Sequence, residues 1–363
     1  MAKIVQKFDS ITHFIQTGGF DYRVYEMGRK ILPLSKGQFQ QIEDQQMLYP
    51  FPFQQKAWLA LLIWQPDNES EAVIWFLQFP VDELGYLKQE ARDAFLIELL
   101  GQAGKNIQAK QKNNAIMDEL GESPFAFKPR EDRLAMFHAL ASKELGQGAS
   151  PYYQATREYL AGALGYEQWQ FLGLQGIADV VARLDEEDNE ALLLDAIAHM
   201  PNMPLESFSH ALENVFLQRM LVDALIQRLQ RELAKNNPDN GTIEVSLVAA
   251  LVRAISASQI ETVRIEILKK VLASSFSKEI EVLVAISGRS WVDLENEGLL
   301  SLFLEKLALQ NQLAFNAVII DLMMLPDMKE KVLKVLRGAG RSSMLSERLD
   351  GFMVVMKGLQ DNH

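Results

Sequence analysis

The feature that most constrains the fold is a series of helical hairpins across residues 169–337. The segments between its breaks are roughly 11–19 residues long, and their apolar residues recur at helical spacing. Five hairpins follow one another at a spacing of roughly 34–38 residues, which is typical of stacked two-helix repeats. A single hairpin cannot bury its apolar face, so neighbouring hairpins must stack. The hairpins are predicted to begin near Trp169, Pro204, Thr242, Ser277 and Asn311.

The clearest repeat unit covers residues 242–274 and contains two helices. Ser258 and Glu261 have the spacing of a capping box, which predicts the start of the second helix. A last helix over residues 345–359 is predicted to cap the array, because the outermost repeat needs a covered apolar face. The whole array is placed at residues 151–363.

The N-terminal part has a different pattern, rich in aromatic and β-branched residues. Residues 22–31, 56–64 and 71–79 are predicted strands. Residues 66–70 between the last two have the composition of a tight turn. The sequence therefore predicts a small antiparallel sheet. Because its two central strands are apolar on both faces, both faces must be covered.

These patterns together predict a mostly α protein with a small N-terminal α+β domain and a HEAT-like array of helical hairpins. The α+β domain is placed at residues 1–100 and a helical linker region at residues 101–150. The boundary is predicted within residues 101–129, which are polar and contain a proline-flanked break.

Sequence motifs for common catalytic, cofactor or metal sites are missing. The chain has no cysteine, which excludes disulfides, thiolate zinc sites and iron–sulfur clusters. Glycines at 101–106 and 338–343 lack the spacing and the strand–loop–helix context of a nucleotide-binding loop. The five histidines are not spaced as metal ligands. We therefore predict no cofactor and no metal, and the sequence favours a non-enzymatic protein.

Charge and hydropathy limit the partners. The formal net charge is −12, and residues 166–363 hold 28 acidic and 19 basic side chains. An average field of this sign repels a phosphate backbone, which disfavours nucleic acid as a partner. The longest apolar run, residues 57–64, is far shorter than the roughly 20 residues that span a bilayer. No secretory signal is visible, so a cytoplasmic location is expected.

A cluster of basic and aromatic residues in the predicted sheet is the candidate binding site. Arginine and tryptophan are favoured as anchors at interfaces, so the cluster is a candidate patch for an acidic or aromatic partner. The alternative is an edge strand that its charges keep soluble. The candidate residues are Arg23, Arg29, Lys30, Trp58, Trp64 and Trp75.

The same region carries a resemblance. Residues 22–31, 49–64, 73–85 and 91–95 resemble an uncharacterised bacterial family, a domain of unknown function of about this length. The resemblance extends over the whole chain. It implies a bacterial, cytoplasmic protein and no particular activity, so no functional residue is carried over. Residues 262–272 are separately similar to the second helix of HEAT-type repeats.

Three functions remain open on the sequence. The first is a non-enzymatic binding or adaptor scaffold, which uses the array and its junction with the sheet to hold a protein partner. The alternative is a nucleic-acid-binding or base-repair protein on a HEAT-like scaffold, which needs a basic concave face. The third is an enzyme with a pocket at the same junction. Oligomeric state is not determined by these patterns.

Overall fold

The computed structural model describes residues 8–108, 123–235, 242–338 and 340–360. The chain divides into two compact units, and each is described by itself. The first unit is Met1–Arg130 with Met324–Pro326. The second unit is Glu131–Met323 with Asp327–His363. The boundary predicted within residues 101–129 falls partly on residues 109–122, which lie outside the described part of the chain.

The first unit contains a four-stranded antiparallel sheet in the order β2-β1-β3-β4. Its strands are β1 (Asp21–Glu26), β2 (Leu32–Leu34), β3 (Lys56–Gln65) and β4 (Asn68–Pro80). The long hairpin of β3 and β4 confirms the two predicted central strands. The single strand predicted over residues 22–31 is wrong at its C-terminal end, because the chain reverses after Glu26 and returns as β2.

Among the described residues of this unit, three helices accompany the sheet: α1 (Ile11–Thr17), α2 (Lys36–Glu43) and α3 (Gln89–Gln108). One face of the sheet and the apolar sides of these helices form a single core. Its members include Tyr22, Val24, Leu59, Leu61, Trp75, Leu77, Ile11, Phe39, Ile42, Phe95 and Leu99. The opposite face is also buried, since Ala60 and Leu62 point the other way along β3 and are 0% and 1% exposed.

The second unit is helical throughout its described residues. No strand occurs in 131–235, 242–338 or 340–360, apart from one isolated bridge. The helices are α4 (Glu131–Glu144), α5 (Tyr153–Leu160), α6 (Leu174–Ala182), α7 (Asn189–Ile197), α8 (Asn202–Leu212), α9 (Arg219–Ala234), α10 (Thr242–Ile255), α11 (Glu261–Ala273), α12 (Ile280–Arg289), α13 (Glu297–Leu307), α14 (Gln312–Met323), α15 (Met328–Arg337) and α16 (Ser343–Gln360).

The helices of this unit alternate between two rows. Helices α4, α6, α8, α10, α12, α14 and α16 form the first row, and each packs on the next. The remaining helices form the second row, where α5 packs on α7, α7 on α9, α11 on α13 and α13 on α15. The first-row helices α6 to α14 begin close to the five predicted hairpin starts. Stacked helical hairpins, as predicted, therefore build this unit.

Helix ends are less predictable than the hairpins themselves. The capping box predicted for Ser258 and Glu261 is wrong, because α11 begins at Glu261 and Ile260 occupies the N-cap position. Ser258 is buried in the preceding turn, where its Oγ accepts a hydrogen bond from the Ile260 N–H at 3.2 Å. Arg264 donates to the Ser258 carbonyl at 2.6 Å, so the serine is held away from the helix start.

Candidate functional site

Three of the six residues in the predicted Arg/Trp cluster are buried within the first unit. Arg29, Trp64 and Trp75 are 0%, 7% and 2% exposed. Trp75 contributes to the core beside the ring of Phe95, whose centroid lies 6.0 Å away. These three side chains are therefore too buried to contact a partner at the surface. Trp64 and Trp75 are buried by their places in β3 and β4, and Arg29 by its hydrogen bonds to the Pro52 carbonyl. Charge and aromaticity alone do not reveal either cause.

The other half of the cluster is more accessible. Arg23 is exposed, whereas Lys30 and Trp58 are half-buried. The indole Nε1 of Trp58 donates to the Phe53 carbonyl at 2.8 Å, which ties β3 to the preceding connection. The structure thus does not join the six predicted residues into one exposed patch. A role for Arg23 or Lys30 in binding stays a prediction.

Arg29 belongs instead to a buried polar network in the first unit. Its Nε and Nη2 donate to the Pro52 carbonyl at 3.0 and 2.7 Å. Its backbone N–H donates to the carboxylate of Glu26, which also accepts from the hydroxyl of Tyr49. Burial and the adjacent Glu26 charge raise the pKa of Tyr49 well above its usual value. The network joins the turn after β1 to the connection at residues 49–53. Its role is therefore to stabilise the fold.

A second buried charge cluster lies in the helical unit. Glu213 caps the C-terminal end of α8 and is 4% exposed. Its carboxylate meets Arg289 Nε at 2.8 Å and Arg133 Nη2 at 3.2 Å. Burial raises the pKa of Glu213, but nearby arginines, Arg289 foremost, lower it by more, so the carboxyl stays ionised. The cluster joins three first-row helices, α4, α8 and α12.

An open groove of about 550 Å³ lies beside the 146–151 loop. Its cations are already engaged within the protein. Lys143 pairs with Asp185, and the guanidinium of Arg183 pairs with Asp179 at 3.3 Å. Arg183 also donates to the Gln147 carbonyl at 3.1 Å. With these donors satisfied, the groove holds no preformed charge for an anionic ligand.

The most extensive surface feature is a set of exposed apolar side chains in the helical unit. Single exposed apolar residues are common on soluble proteins, whereas an aligned series marks an interaction surface. Leu313 is 82% exposed, the highest value among the exposed large apolar residues in the described part of the chain. We call this set the apolar row; it consists of Tyr152, Leu164, Phe171, Leu174, Met203, Ile280, Val284, Leu309, Leu313 and Met344.

The apolar row follows the N-terminal ends of the first-row helices. Five helices contribute one residue each from their first or second position: Leu174 of α6, Met203 of α8, Ile280 of α12, Leu313 of α14 and Met344 of α16. The corresponding side chains of α10, residues 242–244, lie outside the described part. Because the helices pack side by side, these positions recur along one edge of the unit.

Hydrogen bonds between neighbouring helix starts fix this alignment. Ser246 Oγ of α10 donates to Glu206 of α8 at 2.5 Å. Gln310, which precedes α14, donates to the Lys278 carbonyl before α12 at 2.7 Å. Gln312, at the start of α14, donates to the Arg348 carbonyl of α16 at 2.9 Å. These bonds place the N-terminal parts of α8 and α10 together, and likewise those of α12, α14 and α16.

The α6 end of the row is aromatic. Tyr152 lies against Gly173, immediately before Leu174. Phe171 meets the ring of Tyr159 edge to face, with a centroid distance of 6.3 Å. This end continues to α8, since Tyr166 stacks on His199 in the connection before that helix, with centroids 5.8 Å apart.

Charges of both signs surround the apolar row. Glu281 is exposed next to Ile280, and Glu206 and Glu279 are half-buried close to Met203 and Ile280. Other exposed acids at this edge are Glu167 before α6, Asp195 in the last turn of α7 and Glu347 near the start of α16. Basic side chains in the last turns of the second-row helices and in the connections at this edge are Arg231, Lys235, Lys270, Lys278, Lys306, Arg337 and Arg341. The row is thus an apolar line among charges of both signs.

Other classes of site are not built by the described residues. No group of three or more His, Asp or Glu side chains is placed to hold a metal ion within the described residues. Among the helices described, none is both long enough and apolar enough to cross a membrane. His199 stacks on Tyr166, and His210 lies 4.0 Å from Asp132, so each of these histidines has its own neighbour.

Sequence reasoning missed the apolar row. Its signal is an apolar residue at the first or second position of successive first-row helices, just after each break. Such a residue also fits the general helical pattern, so periodicity assigns it to the core. Only the observed helix starts and burial show that Leu313 and Met203 are exposed and do not join the buried stripe of their helices.

A protein-family model matches nearly the whole chain. The model of a family described as "Protein of unknown function (DUF3549)" matches residues 6–353, and the chain belongs to this family. This confirms the predicted full-length resemblance to a domain of unknown function. None of the curated proteins and none of the solved structures matches the chain. The HEAT similarity and the bacterial origin stay predictions.

Proposed function

We propose that this member of a family of unknown function is a non-enzymatic binding scaffold, whose helical unit holds a protein partner along the apolar row. One observation carries the proposal: five first-row helices each present an exposed apolar side chain at the same edge. Stacked helical repeats build extended surfaces of this kind, on which each repeat adds one contact.

The apolar row is not needed for the stack itself. Helix α14 packs through buried Phe315, Ile319 and Leu322, while Leu313 points to solvent. A fully buried leucine gains about 1.5–3 kcal/mol relative to an exposed one. Leu313 is 82% exposed, so most of that gain is still available to a partner. A series of such residues supports binding over a long, narrow surface.

The nucleic-acid alternative gains no comparable support. Arg133 and Arg289, two arginines of first-row helices, are bound to the carboxylate of Glu213 and are 14% and 12% exposed. The edge that carries the apolar row holds acidic and basic side chains together. Neither feature offers the row of exposed cations that phosphate contacts need.

A crosslinking experiment tests the proposal. A photoreactive amino acid replaces Leu313 in the full chain, expressed in its own cell, and adducts are identified by mass spectrometry. Met220 is the matched control, because it is an apolar side chain 67% exposed at the start of α9, in the second row. We expect a protein adduct at position 313 and none at position 220, and loss of the adduct when Met203→Asp is added.

Two results contradict the proposal. The first is an absence of protein adducts at position 313, and also at positions 171 and 344 of the apolar row. The second is the same set of adducts at position 220, which would show unspecific contact rather than a binding edge. Retained helical circular dichroism in each variant checks that the unit is folded.

A further inference from the structure

We propose that the exposed side of α16 pairs with the same side of α16 in a second copy of this chain, through an antiparallel contact between the two helices. The contact uses a surface separate from the apolar row, so it goes beyond the proposed function and does not depend on it. Two features of α16 support the pairing: the apolar side chains that it leaves exposed, and the order of the charges along it.

The apolar side chains of α16 lie on two opposite sides of the helix. Leu345 and Phe352 are buried, where α16 packs on α14 and α13. Successive residues of an α-helix are about 100° apart around its axis, so Val354 lies on the side opposite to Phe352. Val354 is 70% exposed, and its neighbours Met353 and Val355 are also exposed. The helix thus has a second apolar surface, which faces solvent.

This surface lies at the end of the first row. The outermost helix of a stacked array normally turns a polar side to solvent. Helix α16 covers α14, as predicted for a capping helix, but Met353 and Val354 remain exposed on its other side. The apolar row includes Met344 of the same helix, nine residues before Met353 and half a turn away around the axis. The two surfaces therefore face different directions.

The exposed charges of α16 change sign along the helix. Glu347 and Asp350 precede the exposed apolar residues, and Lys357 follows them. All three lie within about 60° of Val354 around the helix axis. The fourth charged residue, Arg348, is half-buried and donates its Nε to two carbonyls before α14 at 3.2 and 2.8 Å. We call Glu347, Asp350, Met353, Val354 and Lys357 the outer face of α16.

The outer face is self-complementary when two copies run antiparallel. A two-fold axis between positions 353 and 354 brings Met353 against Val354 of the second copy, and Asp350 against Lys357 of the second copy. Such an isologous contact uses the same patch on both copies. A parallel pair places Asp350 beside Asp350 and Lys357 beside Lys357, where like charges repel. The order of charges therefore favours a second copy in antiparallel orientation.

The contact is small, which sets its expected strength. Helix α16 has 18 residues and is therefore about 27 Å long. A stable interface buries about 800 Å² on each partner, which is more than one side of a single helix of this length supplies. We therefore expect a dimer that forms reversibly and depends on protein concentration.

Analytical ultracentrifugation of the full chain tests for this dimer. We expect a shift from monomer to dimer as the concentration rises from about 1 μM to about 300 μM, the range of a weak complex. Val354→Asp is expected to raise the dissociation constant at least about tenfold, because a charge enters the apolar centre of the contact. Ile97→Asp is the matched control, since Ile97 is β-branched and 71% exposed in α3. It is expected to leave dimerisation unchanged.

Charge reversal tests the identity of the partner. Asp350→Lys makes positions 350 and 357 both basic, and Lys357→Asp makes both acidic. Each variant alone is expected to stay monomeric over the same concentration range. An equal mixture of the two is expected to form a heterodimer, because each acidic position then meets a basic one. A variant that merely fails to fold cannot give this rescue.

Introduced cysteines report the orientation, because the chain has none of its own. Val354→Cys lies next to the proposed two-fold axis and is expected to give a disulfide-linked dimer on mild oxidation. Ser343→Cys lies at the other end of the helix, so its two copies are about 30 Å apart in an antiparallel pair. A disulfide needs Cα atoms within about 7 Å, so this variant is expected not to link.

Each other outcome overturns the proposal. A monomer at every concentration removes the dimer. A dimer that survives Val354→Asp, or that Ile97→Asp weakens equally, forms through another surface. Charge-reversed variants that dimerise alone, or whose mixture stays monomeric, remove the pairing of Asp350 with Lys357. Linkage at position 343 as efficient as at position 354 removes the antiparallel orientation. Helical circular dichroism of each variant checks that it is folded.

Discussion

Replacing Gly176 by alanine tests how closely α5 approaches α6. Gly176 lies inside α6. A Cβ there would meet the Thr156 hydroxyl well inside van der Waals distance, and it would lie 2.7 Å from the Tyr152 carbonyl oxygen. Real Cβ atoms essentially never come closer than 3.0 Å to another heavy atom, so the backbone of Tyr152 must move. Thr156 is 1% exposed and hydrogen-bonded to that same carbonyl at 3.1 Å, which leaves it little room.

Two effects oppose each other in Gly176→Ala. Alanine is favoured over glycine inside a helix by about 1 kcal/mol. Forcing an extra methyl group into a packed contact costs about 1–3 kcal/mol. We expect a cost in the upper half of that range, because the backbone carbonyl of Tyr152 is displaced. The net expectation is a loss of about 1–2 kcal/mol in the free energy of unfolding, or about 2–8 °C in Tm for a unit of this size.

Urea unfolding followed by circular dichroism measures this loss. Gly298→Ala is the matched control, because Gly298 is exposed in the first turn of α13 and its Cβ would find an ordinary contact of 3.5 Å. That variant is expected to gain about 0.4–1 kcal/mol. If Gly176→Ala is as stable as the unchanged protein, α5 and α6 do not approach as closely as described, and the position of Tyr152 in the apolar row is wrong.

Three further changes probe the buried polar groups, each by urea unfolding. Tyr49→Phe removes the hydroxyl that donates to buried Glu26 and is expected to cost about 1.5–3 kcal/mol; no loss would refute the bond. Arg29→Ala is expected to cost about 1–3 kcal/mol because the buried Pro52 carbonyl loses both guanidinium donors. Glu213→Gln is expected to cost about 3–5 kcal/mol because buried Arg133 and Arg289 lose their carboxylate partner. Since the folded pKa of Glu213 is lowered, its contribution is present above the ordinary carboxyl pKa of 4.5 and lost as pH falls through the folded pKa. The Glu213→Gln penalty should therefore shrink in acid, and a pH-independent penalty contradicts the assignment.

The helical unit was largely predictable because the same helical spacing of apolar residues recurs in several repeats. Residues 242–255 have a helical period, and the breaks on either side fix the helix length. The strands β3 and β4 were predictable for a related reason, since long aromatic and β-branched runs flank a short turn. In both cases many residues favour the same secondary structure, so a few ambiguous positions do not change the prediction.

Short and polar features were not predictable in the same way. Strand β2 has three residues, including Pro33, and its existence depends on pairing with β1. The burial of Arg29 depends on the Pro52 carbonyl, which is 23 residues distant in sequence. Such a charged residue is normally exposed, and only its partner makes burial tolerable. Composition gives no information about a partner of this kind.

Stability and binding are assigned to different side chains of the same helices. In α14, Phe315, Ile319 and Leu322 are fully buried and hold the stack, while Leu313 at its start is largely exposed. A polar residue at position 313 is therefore expected to change the free energy of unfolding by less than about 0.5 kcal/mol. If it also abolishes the crosslink, the loss of binding must come from the edge itself. Because the first-row helices share this division, binding along the apolar row can be removed one position at a time without unfolding the unit.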